Sequence, residues 1–520
     1  MHYFKTYFFV IILTFFHTIV FASDYIITKY GATADTSKLS TTAIQKAIDE
    51  CSANGGGRVI VPAGIFKTGS IFLNSNVEFH LESGAILFGS RYVVDYKSIQ
   101  SNFISFRTQE ATIQLIYAED AHNISITGHG EINGQGELFR ILKDEDEGIT
   151  RPHLIRFIKC TDILIEHVSL KNAGCWMQHY LLCERLQIRG VRAFNRNNFN
   201  NDALDIDGCK DVTVSDFIAD SDDDGITLKS TSNYLCENIT ITNCIISSHC
   251  NAIKLGTESN GGFKNIVISN CIVKPSAQPL PILFGTLTGT SAISLIIVDG
   301  GVMENISISN IIVDGTDAPI FIRLGNRARP YKANSEIKNV GTINDISISN
   351  VQIKNAGSYG CSITGLPGFP VSNIQLNNIT MQQDGGMVAG NIHRVIEEKP
   401  KNYPMSLMFD TLPAYGFYVR HASNITFNGI ILKTTKDDMR PAFYLDDVTG
   451  AVLTNMQLQS SKLKEAAICL QEVRDIIVQQ NILKGNSNYL VKCAGKNCSG
   501  IKLLNNIISN GNLLMQVPKK

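Results

Sequence analysis

ITITNCII, residues 239–246, returns downstream as IVISNCIV at 266, ISISNIIV at 306 and ISISNVQI at 346. In each copy β-branched residues alternate with small or polar ones, the period of a strand, and an Asn then breaks the strand and turns the chain. Upstream the pattern appears as ISITGHG at 124, ILIEHVSLKN at 163, LQIRGVRAFN at 186 and VTVSDFIADS at 212. Weaker copies follow at 374, 425, 451, 476 and 501. Most lie about 23 to 28 residues apart, with gaps near 40 and 50 where loops are inserted. A strand-based period of this size describes a solenoid whose rungs stack into parallel sheets, with Ile, Val and Cys filling the interior. A leucine-rich horseshoe would need a Leu framework and helical backs, which are missing. The expected fold is all-β: a single-stranded right-handed parallel β-helix.

The flanks agree. Thr42–Ser52, TAIQKAIDECS, is an amphipathic helix with Ile44, Ala47, Ile48 and Cys51 on one face and GGG as its stop; it is expected to cap the open N-terminal end of the core. Asn-Ile-Ser/Thr triplets at Asn123, Asn238, Asn305 and Asn424 match glycosylation acceptors, but also mark where a turn Asn meets the next strand, the simpler reading.

Composition narrows the function. Of 520 residues 44% are hydrophobic and 18% charged, and the net charge is −1 without any Lys/Arg block, which argues against a nucleic-acid partner. MHYFK, an apolar run and the small residues Ala22 and Ser23 read as a secretory signal over 1–22, too short for a membrane anchor. That leaves 23–520 as one exported, soluble β-helix domain, periplasmic or extracellular, taken to be a monomer without stable membrane insertion. The thirteen Cys include no CxxC and no zinc-type Cys/His spacing, so neither metal nor cofactor is expected; Cys493 and Cys498 are close enough in sequence to pair.

Chemistry concentrates in DSDDDG, Asp220–Gly225. It opens like an EF-hand calcium loop, but the twelfth position, where a bidentate Glu belongs, is Thr231. Aligning rungs by their apolar residues puts Leu204-Asp205-Ile206 under Ile226-Thr227-Leu228 and Ile253-Lys254-Leu255, spaced by 22 and 27 residues. In that register Asp202, Asp224 and Asn251 stack, while the side chain of Asp223 diverges from that of Asp224. Crowded carboxylates repel, so one should hold its proton to unusual pH. Glycoside hydrolysis needs such a set: one protonated acid and one carboxylate to activate water.

The chain resembles the polygalacturonase-like glycoside hydrolases of family 28. The resemblance runs through YGATADTSKLSTTAIQKAIDECSANGGGRVIVPAGIFKTGSIFL, ISITGHGEINGQG, RPHLIRF and NAGCWMQHY, which holds the only tryptophan, Trp176. The family's Asn-Thr-Asp motif falls on Asn200-Asn201-Asp202 and its Asp-Asp pair on Asp223-Asp224. The resemblance implies inverting hydrolysis of α-linked galacturonic acid in pectic substrates, with Asp223 as general acid and Asp202 and Asp224 activating water. Asn200 is carried into the site with that motif. Two motifs depart from the family. Its Gly-His-Gly becomes Cys250-Asn251-Ala252, leaving Asn251 or the nearby His249 in the histidine's place. Its Arg-Ile-Lys should fall within 291–301, where no basic residue stands. Lys254, then Arg323 with Arg327, are the expected replacements against an acidic substrate. His179, and Tyr418, Arg420 and His421, are further candidates for subsite walls. These departures favour a rhamnogalacturonan or branched pectin as much as plain galacturonan. Insertions at 87–118 and 384–417 are expected to wall off the groove and point to exo-action. A β-helical lyase and a non-catalytic pectin-binding solenoid are the rival functions.

Overall fold

The structure is a computed structural model that describes residues 23–108, 111–139, 149–277, 282–460, 466–485, 487–509 and 511–516; the proposed signal over 1–22 lies outside them. Its strands pair parallel into a right-handed parallel β-helix. The interior is built of stacked side chains. Val212, Ile239, Ile266, Ile306, Ile346, Ile374 and Ile425 follow one another in register, all buried. Burying each such side chain stabilises the fold by about 1.5–3 kcal/mol, which explains why the β-branched repeat extends so far.

The helix spans Thr41–Ala53 and buries Ile44, Ala47, Ile48 and Cys51 against the first rungs. Gly56 follows at φ +109°, where an added Cβ would stand 2.5 Å from the Asn76 carbonyl, so only glycine makes that exit. Asn123, Asn238, Asn305 and Asn424 all take left-handed φ at turns. Their side-chain amides bond from rung to rung; Asn305 donates to Asn265 at 2.7 Å, for example. They are turn residues built into ladders. The cysteines are free thiols; Cys493 and Cys498 do not pair, and Cys498 Sγ donates to the Ala494 carbonyl at 2.9 Å.

One sheet positions the chemistry. Its outward residues form a column in register: Arg156, His179, Asp205, Thr227, Lys254, Ser294, Phe321, Ser362, Tyr418 and Tyr444. The two insertions cover this column on either side of its centre, each over a small apolar cluster of its own. Phe103 and Ile99 pack with Tyr117, Ile158 and Leu181. Ile396, Phe409 and Leu412 pack with Ile296, Phe321 and Tyr418. The stretch between these two clusters holds the carboxylates.

Candidate active site

The register of the three central rungs is the one expected. Leu204, Ile226 and Ile253 pair in sequence, as do Asp205, Thr227 and Lys254. The backbone carries that register into the preceding turns: Ala203 N–H donates to the Asp224 carbonyl at 3.0 Å, and Gly225 N–H to that of Asn251 at 2.8 Å. Asp202 and Asp224 are therefore brought together from adjacent rungs, and both are buried.

Cations interleave them. The Lys254 ammonium donates to Asp224 Oδ2 at 2.7 Å and Asn251 Nδ2 donates to Asp224 Oδ1 at 2.7 Å. Asn251 is itself held through Oδ1 by the hydroxyls of Ser291 and Ser294, at 2.8 and 2.9 Å. Lys229 lies 3.3 Å from Asp202, 3.4 Å from Asp205 and 3.8 Å from Glu258, with its ammonium 4.2 Å from the centre of the Trp176 ring.

This arrangement splits the proton affinities. Burial, then the charges of Asp202 and Asp224, push Asp223 well above the usual carboxylate range. Burial also favours the neutral form of Asp224, but Lys254 and Lys229 outweigh it and hold that carboxyl below its ordinary value. Asp202 is raised by burial and by Asp224, against the pull of Lys229. Asp205 is raised further, by burial and by the charge of Asp202. Asp223 is half-buried, so it is the open acid of the four. The expected divergence of Asp223 and Asp224 is small: an oxygen of each lies within 4.8 Å of the other and of Cys250 Sγ. That trio could ligate a metal only poorly, because burial and two carboxylates keep the Cys250 thiol protonated and the Lys254 ammonium already compensates Asp224.

The other expected residues divide. Lys254 belongs to the carboxylate patch as a buried ion pair. Asn200, two residues before Asp202, sits at φ 55° and accepts from Arg151 Nη2 at 3.1 Å. His179 is fully buried, 3.1 Å from Asp207, and its ring meets Trp176 edge-on at 5.2 Å. Burial, then Arg156 and Arg107, keep it neutral. Arg327 closes on Asp299, with Nε donating to Oδ1 at 3.0 Å.

Two expectations need correction. His249, a candidate for the place of the family's histidine, is fully buried; Nδ1 pairs with Asp222 at 2.8 Å and Nε2 faces Arg196 at 2.8 Å. Arg323, an expected replacement for the family's cations, lies beneath the second insertion, donating to the Glu398 carbonyl at 2.5 Å and the Gly365 carbonyl at 3.3 Å. It clamps the loop. Asp220 and Asp222 likewise hold structure: Asp220 accepts from Arg196 and Ser276, both at 2.8 Å, and Asp222 from the backbone N–H of Leu283 and of Phe284, both at 3.0 Å.

Sequence reasoning missed several neighbours of the patch. Lys229 and Asp205 share the outward parity of their strands, a signal present in the alignment. Arg107 over Trp176 (4.3 Å), Arg329 over Phe106 (3.6 Å) and Tyr403, whose hydroxyl is 3.3 Å from Lys254, arrive from loops. Arg329 also donates to Glu258 at 2.5 Å and keeps about a third of its side chain exposed.

The sequence profile of glycosyl hydrolases family 28 matches residues 51–399. A probable polygalacturonase of Vitis vinifera is 29% identical over 211 residues, 39% of this chain and 43% of that protein. An exo-poly-alpha-D-galacturonosidase of Dickeya chrysanthemi is 38% identical over 138 residues, 25% of this chain and 22% of that protein. The chain thus spans less than half the length of these curated relatives. A Thermotoga maritima exopolygalacturonase structure superimposes with a TM-score of 0.55 at 22% identity, covering 69% of this chain and 87% of that one, a likeness of fold.

Proposed function

The chain belongs to glycosyl hydrolases family 28, and from that footing we propose that it hydrolyses α-linked galacturonic acid in pectic polysaccharide or oligosaccharide. The feature that carries the proposal is two adjacent carboxyls whose proton affinities shift in opposite directions, Asp223 raised by burial and by the charges of Asp202 and Asp224, and Asp224 lowered by the lysines beside it. An acid for the leaving oxygen and a base for water are the two groups that glycoside hydrolysis requires. Asp223 protonates the glycosidic oxygen; Asp202 and Asp224 hold and deprotonate the attacking water, and the anomeric configuration inverts. Inversion needs carboxyl groups roughly 6.5–9.5 Å apart. With Asp224 so near Asp223, we assign that spacing to Asp223 and Asp202, in neighbouring rungs.

Substrate recognition falls to cations supplied by loops. Arg107 and Arg329, stacked on Trp176 and Phe106, meet the uronate carboxylate in place of the family's Arg-x-Lys. The insertions that bracket the patch favour exo-action, and the apolar N-terminal stretch favours export. A digest of polygalacturonate, rhamnogalacturonan and branched pectic oligosaccharides tests the reading, with early-time NMR of the new reducing end. Saturated products of inverted configuration, lost in Asp223→Asn, are expected. Unsaturated products, or binding without cleavage, would overturn it.

A further inference from the structure

The outward column that carries Lys254 emerges again beyond the second insertion. Ser294, Phe321 and Ser362 separate Lys254 from Tyr418, and Tyr444 follows. Four rung steps at about 4.8 Å place Tyr418 about 19 Å from Lys254 along the axis. The apolar cluster of Ile396, Phe409 and Leu412 occupies the interval. On its far side a cavity of about 260 Å³ opens between residues 392–396 of the insertion and the side chains of Tyr418, Arg420, Tyr444 and Asp446.

Its lining is specific in chemistry. The two tyrosine rings lie 6.0 Å apart at 48°, a tilted aromatic wall. Neither hydroxyl meets a protein partner among the described residues, although Tyr418 is buried and Tyr444 partly so, and burial keeps both phenols protonated. The guanidinium of Arg420 is already balanced: Nη2 lies 2.7 Å from Glu398 and Nε 3.2 Å from Asp446. Arg394, at the mouth, is paired with Asp410 at 2.6 Å. The polar atoms are thus planar, paired and without net positive charge. An aromatic face offers the C–H face of a sugar ring its apolar contact, while free phenol hydroxyls and an Asp/Arg pair answer ring hydroxyls. Both arginines that line this cavity are already compensated by carboxylates, so it offers a uronate no surplus of arginine charge.

We propose that this cavity is a second, non-catalytic carbohydrate site that takes one neutral sugar ring, such as a side-chain sugar of a branched pectic chain. It rests on a saccharide substrate for the protein as a whole, and the test separates the two. In the full-length Asp223→Asn protein, affinity gel electrophoresis and calorimetry would use galactan- and arabinan-branched rhamnogalacturonan, its debranched form, and free galactose and arabinose as competitors. Tighter retention by the branched polymer is expected, relieved by the free neutral sugars and weakened at least about tenfold by Tyr444→Ala. Tyr444→Phe, which keeps the packing and removes one hydroxyl, should give an intermediate loss. In the wild-type background Tyr444→Ala should leave kcat/KM on unbranched oligogalacturonides unchanged. Equal retention of branched and debranched polymer, or unaltered affinity in a folded Tyr444→Ala protein, would overturn the proposal. Failure of wild-type protein to cleave any pectic substrate would overturn the hydrolase reading and leave this binding result standing on its own.

Discussion

Asn270, Asn310 and Asn350 stack along one edge of the solenoid, and Asp202, Asp224 and Asn251 stack along another, yet the two columns behave in opposite ways. In the first, Asn350 donates to Asn310 and Asn310 to Asn270, both at 3.2 Å, and Asn270 to the Thr242 hydroxyl at 3.3 Å, so repetition gives every member a partner. In the second, repetition would pile like charges together, and the fold inserts Lys229 and Lys254 between them. A neutral ladder is self-sufficient and can run the length of the chain; a charged one needs outside partners and is confined to a few rungs. Stacking makes the molecule regular in one place and reactive in the other.

The largest break in that comparison comes from Lys229→Met. The substitution leaves Asp202, Asp205 and Glu258 buried without their shared cation, and removing one partner of a buried ion pair costs about 3–5 kcal/mol. Chemical denaturation at neutral pH should register that loss. The gap should narrow on acidification, because Asp202 and Asp205, whose proton affinity is raised in the folded state, are relieved as they protonate, whereas Glu258 keeps Arg327 and Arg329. A variant as stable as wild type at pH 7 would mean the patch is solvated and the charge column is ordinary surface.

Asp223 and Asp224 sharpen the contrast within two residues. The folded-state proton affinity of Asp223 is raised, so its penalty is absent below its ordinary value of 3.8 and builds as pH rises through that value toward the folded one. Asp223→Asn should therefore raise the melting temperature at pH 7 and change it little near pH 3.5. For Asp224 the folded affinity is lowered, so its stabilisation is present above 3.8 and disappears as pH falls through the folded value. Asp224→Asn should melt earlier at pH 7 and converge with wild type in acid. Thermal melts across pH decide the signs; two variants moving in the same direction would refute the split on which the acid and base roles rest.

Much of this was legible in the repeat. The strand period, the helix at Thr41–Ala53 and the stacking of Asp202 on Asp224 all follow from apolar residues that recur in register. Lys229 was legible in principle: Thr227 and Lys229 share an outward parity with Asp205 and Asp207, and only the alignment's narrow window, ending at Leu228, left it out. His249 and Arg323 misled because their rungs were placed correctly but their environment was not. Loop segments cover both, and whether a side chain is covered depends on tertiary packing that no local period encodes. Arg107, Arg329 and Tyr403 were out of reach for the same reason, since insertions without a repeat have no register to extrapolate.

The smallest effect tests the neutral column. Asn310 is exposed, sits at φ 58°, donates to Asn270 and accepts from Asn350. Two separate contributions keep an Asn there: tolerance of the left-handed turn, about 1–2 kcal/mol for an ordinary residue, and two hydrogen bonds worth about 0.5–1.5 kcal/mol each, net of exchange with water. Asn310→Ala loses both contributions, whereas Asn310→Gly relieves the backbone and loses only the ladder. Equilibrium unfolding should rank wild type above Gly and Gly above Ala. If Gly equals wild type, the ladder is incidental and the turn alone selects Asn. If Gly equals Ala, the side-chain amides carry the column. In the charged column a substitution reaches further, because the carboxyls there answer both to lysines from neighbouring strands and to one another's charge.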